Sequence, residues 1–323
     1  MFSDKIKKII EHNIINAADM FDYEYSPYSE RFDRTQNFLW SILIHESRNY
    51  NLKESYFFFA NNSSVNAKAC RHNNYNLISV NSGLVIWLIK NVVENQKLKE
   101  YYEKHYDVFQ RIQYYSFEEL SFQINLLFTF YHEFAHLLQQ SDYLELGLEE
   151  NSKSDFSLYR HALEIDADTF SGIFIARHLI QYYEKDFSEF GIEFLEIITT
   201  VLCSNLFFYL SSFGAANKKL YFKENSHPHP FIRVIRLLFT IGKYFQDDYK
   251  IKIDKIGIVT KIVDEILLLQ DTYEVNNLSS FRNEMINSTI DIHEYLQELS
   301  DHDKLKVNSA IRIYNQRQET DGK

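Results

Sequence analysis

Apolar residues recur at helical spacing along most of the chain, and this pattern predicts a mainly helical protein. The strongest segment is 116–140, where apolar side chains cover most of the helix circumference, so this helix is expected to cross the core. Ser116 and Glu119 form a capping-box pattern at its start. Other helices are predicted over 3–19, 31–47, 84–95, 158–183 and 187–212, from Pro230 onward, and through most of 245–314.

One stretch departs from the helical pattern. Residues 56–59 are aromatic, and residues 77–80 include the β-branched Ile78 and Val80 between Asn-rich flanks, which predicts two or three strands within 55–82. The expected fold class is therefore α+β, predominantly α, with a small β-sheet. We expect a central domain over 51–244, with a helical segment of residues 1–50 before it and another of residues 245–323 after it.

Composition and charge narrow the classes of function. The formal net charge of −11 argues against a nucleic-acid partner, which needs a basic surface. Cys70 and Cys203 are too few for a disulfide framework, so a reducing, cytoplasmic location is expected. The first ten residues carry charges where a signal peptide is apolar. Segment 197–214 is apolar but rich in Ser and Thr, which favours a buried helix over a transmembrane span.

His132 and His136 lie four residues apart on the predicted core helix. Side chains at this spacing share a face, so two imidazoles can reach one ion at Zn–N distances of about 2.0–2.1 Å. Glu133 lies beside them but around the helix, where it can reach a metal-bound water without ligating the metal. A chance pair of histidines is the alternative. The apolar surroundings favour a Zn²⁺ site, because burying these groups without a purpose is costly.

A catalytic zinc keeps three protein ligands and one open position, so a third ligand is required. Glu164, on the next predicted helix, is the expected one. Asp168 lies four residues later on the same face, where it can accept a hydrogen bond from the far nitrogen of a ligand histidine. His161, one turn before Glu164, is the rival ligand. A solvated acidic face is the other alternative, and the mostly apolar helix argues against it.

These residues predict hydrolysis of a peptide bond in a protein or peptide substrate. Glu133 would accept a proton from a water whose pKa the metal lowers to about 7, and would later deliver it to the leaving amine. A donor to the oxyanion is expected from the segment that contains His227, His229 and Arg233, next to two prolines at a predicted helix start. An ordinary capped turn with a surface arginine is the alternative.

Four segments, in order, resemble the gluzincin zinc metallopeptidases, the group that includes the CAAX-prenyl protease and the heat-shock protease HtpX. Residues 65–69 and 78–84 are similar to the family's NAxA strand and to the strand-to-helix step after it. Residues 132–136 are similar to its HExxH, residues 164–168 to its ExxAD and residues 229–233 to its HP…R segment. The likeness spans about 65–240. It implies a zincin-like metallopeptidase domain in the central part of the chain, with Zn²⁺ as cofactor.

By that resemblance, Asn66, Ala67, Lys68 and Ala69 would form the edge strand along which a substrate pairs its backbone. An ordinary hairpin strand is the alternative. The hydrophobic spans of the membrane members are not evident here, so a prenylated substrate is not expected. The doubled His-Pro leaves open whether His227 or His229 takes the family position. The chain is also similar to the phage-exclusion Lit peptidases, which implies an intracellular, normally silent protease that cuts a host protein during infection.

Two other classes of function fit the same sequence. One is a regulatory or toxin-like module, whose helical ends, residues 1–50 and 245–323, bind a protein partner that controls the site. The other is a metal-binding scaffold without catalysis. A purely structural site has no use for a base next to its ligands, so Glu133 argues against the scaffold.

Overall fold

The structure is a computed structural model that describes residues 4–72, 75–111, 116–140, 156–212, 219–275, 278 and 280–321. It is predominantly helical with one small sheet, which confirms the predicted α+β class at that level. The helices are α1 (Asp4–Glu11), α2 (Ser29–Asn49), α3 (Ser82–Leu88, continued by a π-helical turn at Ile89–Val93), α4 (Gln96–His105), α5 (Asp107–Arg111), α6 (Phe117–Gln139), α7 (Leu158–Tyr182), α8 (Glu193–Ser211), α9 (Pro230–Asp248), α10 (Lys255–Leu269), α11 (Phe281–Asn287), α12 (Thr289–Ser300) and α13 (Ala310–Asp321).

The sheet has three strands, β1 (Ser55–Ala60), β2 (Ala67–His72) and β3 (Tyr75–Asn81), in the order β1-β3-β2. β1 runs parallel to β3, and β2 pairs antiparallel with β3. β2 is therefore an edge strand, and no other strand in the described part of the chain pairs with its outer side. Helix α2 covers β1, while α6 packs against β2 and β3.

Helices α6 and α7 pack side by side and form the centre of the molecule. Ser116 accepts a hydrogen bond from the Glu119 backbone at 3.1 Å, so the predicted N-cap of α6 is present. The Glu119 carboxylate, however, binds Arg31 of α2 at 2.8 and 2.5 Å. The capping residue of the box is thus confirmed, and the glutamate joins α6 to α2. Ser157 caps α7 in the same way.

The predicted helix over 3–19 was too long. α1 ends at Glu11, and Asn13 has a left-handed backbone with φ of 52°. The predicted helix over 187–212 also began too early. Gly191 has φ of 72°, which glycine adopts at no steric cost, and the regular helix starts only at Glu193. Both errors come from turn residues inside an apolar pattern.

One hydrophobic cluster extends through all three predicted segments. It includes Phe32 and Leu39 near the N-terminus, Phe134 of α6, and Ile258 and Tyr314 near the C-terminus. Helices α12 and α13 pack directly on α7. The C-terminal helices therefore share the core that holds the central helix pair.

Helix α8 is the one described helix that is long and apolar enough to cross a membrane. Of its most apolar stretch, 83% is buried inside the protein, as in the core helices of soluble proteins. Cys70 and Cys203 are both free thiols.

Candidate metal centre

Three predicted ligands meet between α6 and α7. His132, His136 and Glu164 each offer a donor atom, and these atoms lie within 4.8 Å of one another. The spacing of four residues puts both imidazoles on the α6 face that packs against α7. All three side chains are buried, at 2%, 3% and 1% exposure. This group can hold a metal ion.

Gln139 fixes which nitrogen of His136 faces the centre. Its Nε2 donates to the Leu163 carbonyl at 2.8 Å and to Asp166 Oδ2 at 2.9 Å. The amide oxygen is therefore the atom that faces His136 Nδ1, 2.8 Å away, and Nδ1 donates that hydrogen bond. His136 Nε2 is left with its lone pair directed at the centre.

Asp168 fixes which nitrogen of His132 faces the centre. Its Oδ1 lies 3.0 Å from His132 Nδ1. Arg233 donates two hydrogen bonds to the same carboxylate, from Nε to Oδ2 and from Nη2 to Oδ1, each 2.9 Å long. Such a bidentate pair fixes both position and orientation. His132 Nδ1 is thereby used as a donor, and Nε2 is the atom available to a metal.

The donor atoms are close enough to surround one ion. The two Nε2 atoms of His132 and His136 are 3.1 Å apart, His132 Nε2 lies 3.2 Å from Glu164 Oε2, and His136 Nε2 lies 3.6 Å from Glu164 Oε1. Ligands at about 2.0–2.1 Å from a tetrahedral zinc are about 3.3 Å from each other. Glu164 Oε2 is buried and makes no aligned hydrogen bond within the described part of the chain. A divalent cation would satisfy this oxygen and both facing lone pairs.

The charges of the centre also suit a cation. Burial raises the pKa of Glu164, but the nearby histidines lower it more, so its pKa lies well below the usual range. Burial likewise raises the pKa of Asp168, and Arg233 and His132 outweigh that effect and lower it. Burial lowers the pKa of His136 to about 4. Burial also lowers the pKa of His132, but the hydrogen bonds to Asp168 and Glu164 outweigh that effect and raise it to about 10, so without a metal this imidazole is protonated at neutral pH. His132 and Arg233 then balance the two carboxylates, and a metal cation would take the place of the proton on His132 Nε2.

His227 and His229 have different surroundings. His227 Nε2 lies 3.6 Å from Glu164 Oε1 and has no hydrogen-bond partner among the described residues. His229 Nδ1 accepts a hydrogen bond from the Phe231 backbone at 3.1 Å and caps α9. The histidine beside Glu164 is thus His227, while His229 has the capping role of the alternative interpretation. Arg233 is 4% exposed, so it is not the surface arginine of that alternative.

His161, the rival third ligand, has other partners. Its Nε2 donates to the Asn225 carbonyl at 3.2 Å, and its Nδ1 accepts a hydrogen bond from the Tyr295 hydroxyl. Glu164 is the residue of α7 that joins the two histidines of α6. Gln139 and Asp166 are two further residues of the site, which were not predicted from the sequence. Gln139 lies three residues after His136, a spacing that puts both on one helix face and was the available signal.

Glu133, the predicted base, is 4% exposed and directly follows His132 on α6. Burial raises the pKa of the Cys70 thiol of β2, Lys68 lowers it, and the Glu133 carboxylate raises it again. Helix α6, which carries Glu133, packs against β2.

The backbone pattern of β2 shows which residues face outward. The Asn81 amide donates to the Asn66 carbonyl at 3.0 Å, so this pair is hydrogen-bonded. Because hydrogen-bonded and non-bonded pairs alternate in an antiparallel ladder, Lys68 also bonds to β3, while Ala67 and Ala69 turn their backbone groups away from it. The Asn66 side chain accepts from the Ala67 amide at 2.8 Å. Ala69 thus has both backbone groups on the outer edge, but it is 1% exposed, so this edge is covered in the structure.

Zinc should stabilise the protein if the three side chains bind it. At a free concentration of about 100 times its Kd, zinc is expected to raise the free energy of unfolding by about 2.7 kcal/mol. Thermal unfolding with and without zinc measures this effect. His136→Ala should abolish it. His178→Ala, which removes a histidine that contacts Tyr131 instead, should keep it. An unfolding temperature that does not respond to zinc would count against the metal centre.

Comparison with family models, with curated proteins and with solved structures finds no match for this chain. The likeness to gluzincins therefore rests on the residues of this sequence, and the family stays a prediction.

Proposed function

We propose that the protein is a zinc-dependent endopeptidase of the gluzincin kind that acts on protein or peptide substrates. The observation that carries the proposal is the convergence of His132, His136 and Glu164, with Glu133 next to the first ligand. Two imidazoles and one carboxylate are the donor set of catalytic zinc in several peptidases, and three protein ligands leave a position open. The proposal extends to a regulated, cytoplasmic protease of the phage-defence type, which rests on the sequence alone.

Each residue of the centre then has a task. A bound zinc ion supplies a water whose pKa is lowered to about 7. Glu133 accepts a proton from the attacking water and delivers it to the leaving amine. His227 donates from Nε2 to the oxygen of the scissile carbonyl, where negative charge develops. Asp168 and Gln139 keep the ligand imidazoles oriented.

The edge strand β2 is the proposed place for a peptide substrate in an extended conformation. The outward N–H and C=O groups of Ala69 would pair with a substrate backbone, as in other cases of strand addition, but Ala69 is 1% exposed, so the proposal requires that this edge is uncovered first. Because α6, which carries Glu133, packs against β2, a peptide bound along β2 would lie next to the helix that carries the base. Backbone pairing holds the substrate largely independently of its side chains, which suits an endopeptidase.

His227→Ala tests the role of this histidine. Removing a donor to the oxyanion is expected to lower kcat by about 10²-fold, since such donors contribute mainly in the transition state. The Kd for zinc should stay unchanged. His227→Gln keeps an N–H donor and should recover part of the rate. Equal rates for the wild type and His227→Ala would remove His227 from the mechanism.

A closed, non-catalytic zinc site is the second candidate, because His227 Nε2 lies 3.6 Å from Glu164 Oε1 and can be regarded as a fourth ligand. A structural zinc has four protein ligands and no open position. Against this, His227 does not belong to the group of donor atoms that lie within 4.8 Å of one another. In the closed site, His227→Ala would weaken zinc binding, and the wild type would have no peptidase activity.

The proposed function is tested by its products. The zinc-loaded protein is incubated with a cytoplasmic protein mixture, and newly formed protein N-termini are identified by mass spectrometry. We expect new termini with the wild type, and none with Glu133→Gln or with the wild type in excess chelator. If both proteins give the same termini, or neither gives any from the mixture or from a library of extended peptides, the peptidase proposal is wrong.

A further inference from the structure

The start of α13 is hydrogen-bonded to the helix that carries Glu164. Ser309 Oγ donates to Asp166 Oδ1 at 2.7 Å, and the Ala310 amide donates to Asp166 Oδ2 at 2.7 Å. Ser309 also accepts from the Arg312 amide at 3.0 Å and so caps α13. The N-terminus of this C-terminal helix is thereby fixed to a carboxylate that lies two residues from a candidate ligand.

Asp166 is also linked to His136 through the side chain of Gln139. Its Oδ2 also accepts from Gln139 Nε2 at 2.9 Å, and Gln139 Oε1 accepts from His136 Nδ1 at 2.8 Å. The side chains are buried: Ser309 is 6% exposed, Asp166 7% and Gln139 1%. Buried hydrogen bonds of this kind are costly to leave unmade, so each partner constrains the next.

A second connection runs from α12 to the segment before α9. The Tyr295 hydroxyl donates to His161 Nδ1, and His161 Nε2 donates to the Asn225 carbonyl at 3.2 Å. Lys223 forms an ion pair of 2.7 Å with Glu298 of the same helix. Asn225 has φ of 60°, a left-handed conformation that needs support from its surroundings. His227, which lies beside Glu164, follows two residues later.

We propose that the C-terminal helices act as a brace that sets the positions of His136 and His227. The C-terminal brace consists of Tyr295, Ser309 and the Ala310 amide, and it acts through Asp166 with Gln139 and through His161 with Asn225. This inference rests on the proposed metal centre and adds its regulation. Displacing α13 would turn the His136 ring and weaken metal binding, whereas displacing α12 would free the His227 segment and leave the affinity for the metal unchanged.

The connection from Ser309 through Asp166 and Gln139 to His136, the first arm of the C-terminal brace, is tested by measuring metal affinity. Gln139→Leu keeps the side-chain volume but removes the acceptor for His136 Nδ1, and is expected to raise the Kd for zinc by about 10- to 100-fold. Ser309→Ala should raise it by a smaller factor. Asp254→Ala is the matched control, because Asp254 caps α10 through Gly257. Competition with a chromophoric chelator gives the Kd, and thermal unfolding shows that each variant is folded.

The absorption spectrum of the cobalt-substituted protein adds a readout of ligand geometry that a general loss of stability would leave unchanged. We expect the visible cobalt bands to shift in Gln139→Leu and in Ser309→Ala, and to stay at the wild-type position in Asp254→Ala. Where Ser309→Ala fails to fold, Gln139→Leu decides alone, since it leaves the cap of α13 intact.

The connection from Tyr295 through His161 to Asn225, the second arm of the C-terminal brace, is tested by hydrogen exchange. Tyr295→Phe removes only the hydroxyl that binds His161, and amides of residues 219–229 should then exchange about fivefold faster, as for one lost hydrogen bond. Tyr314→Phe is the matched control, because its hydroxyl binds Arg177 instead. Its exchange in 219–229 should equal that of the wild type.

The result that overturns the brace is separate from the result that overturns the peptidase. If Gln139→Leu and Ser309→Ala bind zinc with the wild-type Kd and give the wild-type cobalt spectrum, the first arm is wrong. If Tyr295→Phe exchanges like Tyr314→Phe, the second arm is wrong. A wild type that binds zinc but cleaves nothing would refute the peptidase, while shifted Kd values in the variants would still support the brace.

Discussion

Glu133→Gln is expected to lower kcat/KM for a peptide substrate by about 10²- to 10⁴-fold, the contribution typical of a general acid–base group. The amide cannot take a proton from the attacking water, and it cannot deliver one to the leaving amine. The change is nearly isosteric at a side chain that is 4% exposed, so the packing of α6 should be preserved. Initial rates with a fluorogenic form of a peptide that the wild type cleaves measure the effect.

Zinc binding separates a catalytic from a structural effect of this change. Glu133 is not one of the three ligands, so Glu133→Gln should bind zinc with the wild-type Kd. Glu118→Gln is a matched control, because Glu118 is a buried glutamate on the same helix, 7% exposed. It should keep its activity. Wild-type activity in Glu133→Gln would exclude Glu133 as the base, whatever metal is bound.

The parts of the site that sequence predicts well are those set by local helix geometry. His132 and His136 had to share a face once residues 116–140 formed a helix, because the helical repeat fixes neighbours four residues apart. The position of Glu164 and Asp168 on one face of α7 followed in the same way. That α6 and α7 pack together was implied by placing the ligands of one metal on both helices.

The parts that sequence does not predict depend on contacts between distant segments. Asp166 is bonded to Ser309, 143 residues later, and periodicity within a helix carries no information about such a pair. The choice between His227 and His229 depended on loop geometry, since either can precede a proline at a helix start. The strand order β1-β3-β2, which makes β2 an edge, likewise follows from pairing and not from local propensity.

The C-terminal helices pack into the shared core, so they are not an end segment that can be removed without affecting the central helices. Ile258, Tyr295 and Tyr314 lie in the same hydrophobic cluster as Phe134 of α6. Deleting residues 245–323 would expose apolar surface of the central helices and leave Asp166 without two of its donors. Such a deletion therefore cannot distinguish an inhibitory tail from a shared core. Single substitutions in the C-terminal brace make that distinction.

Arg233→Met is expected to destabilise the protein by about 3–5 kcal/mol, the usual cost of removing one partner of a buried ion pair. The change would take two hydrogen bonds of 2.9 Å from Asp168, whose side chain is fully buried. The carboxylate would keep His132 as a neighbour but lose its guanidinium. Methionine has a similar length and leaves little cavity. Urea unfolding in the presence of chelator measures the loss without a contribution from zinc.

A double-mutant cycle with Asp168→Asn shows whether the loss comes from the uncompensated charge. The asparagine side chain can still accept from His132 Nδ1, and it carries no charge that needs Arg233. The double variant should therefore be more stable than the sum of the two single losses implies, by about 1–3 kcal/mol. Strict additivity would mean that Arg233 stabilises the protein independently of Asp168, by packing or through Glu164, whose Oε2 lies 3.8 Å from Arg233 Nη2. In that case the orientation of His132 would depend on Asp168 and not on its pairing with Arg233.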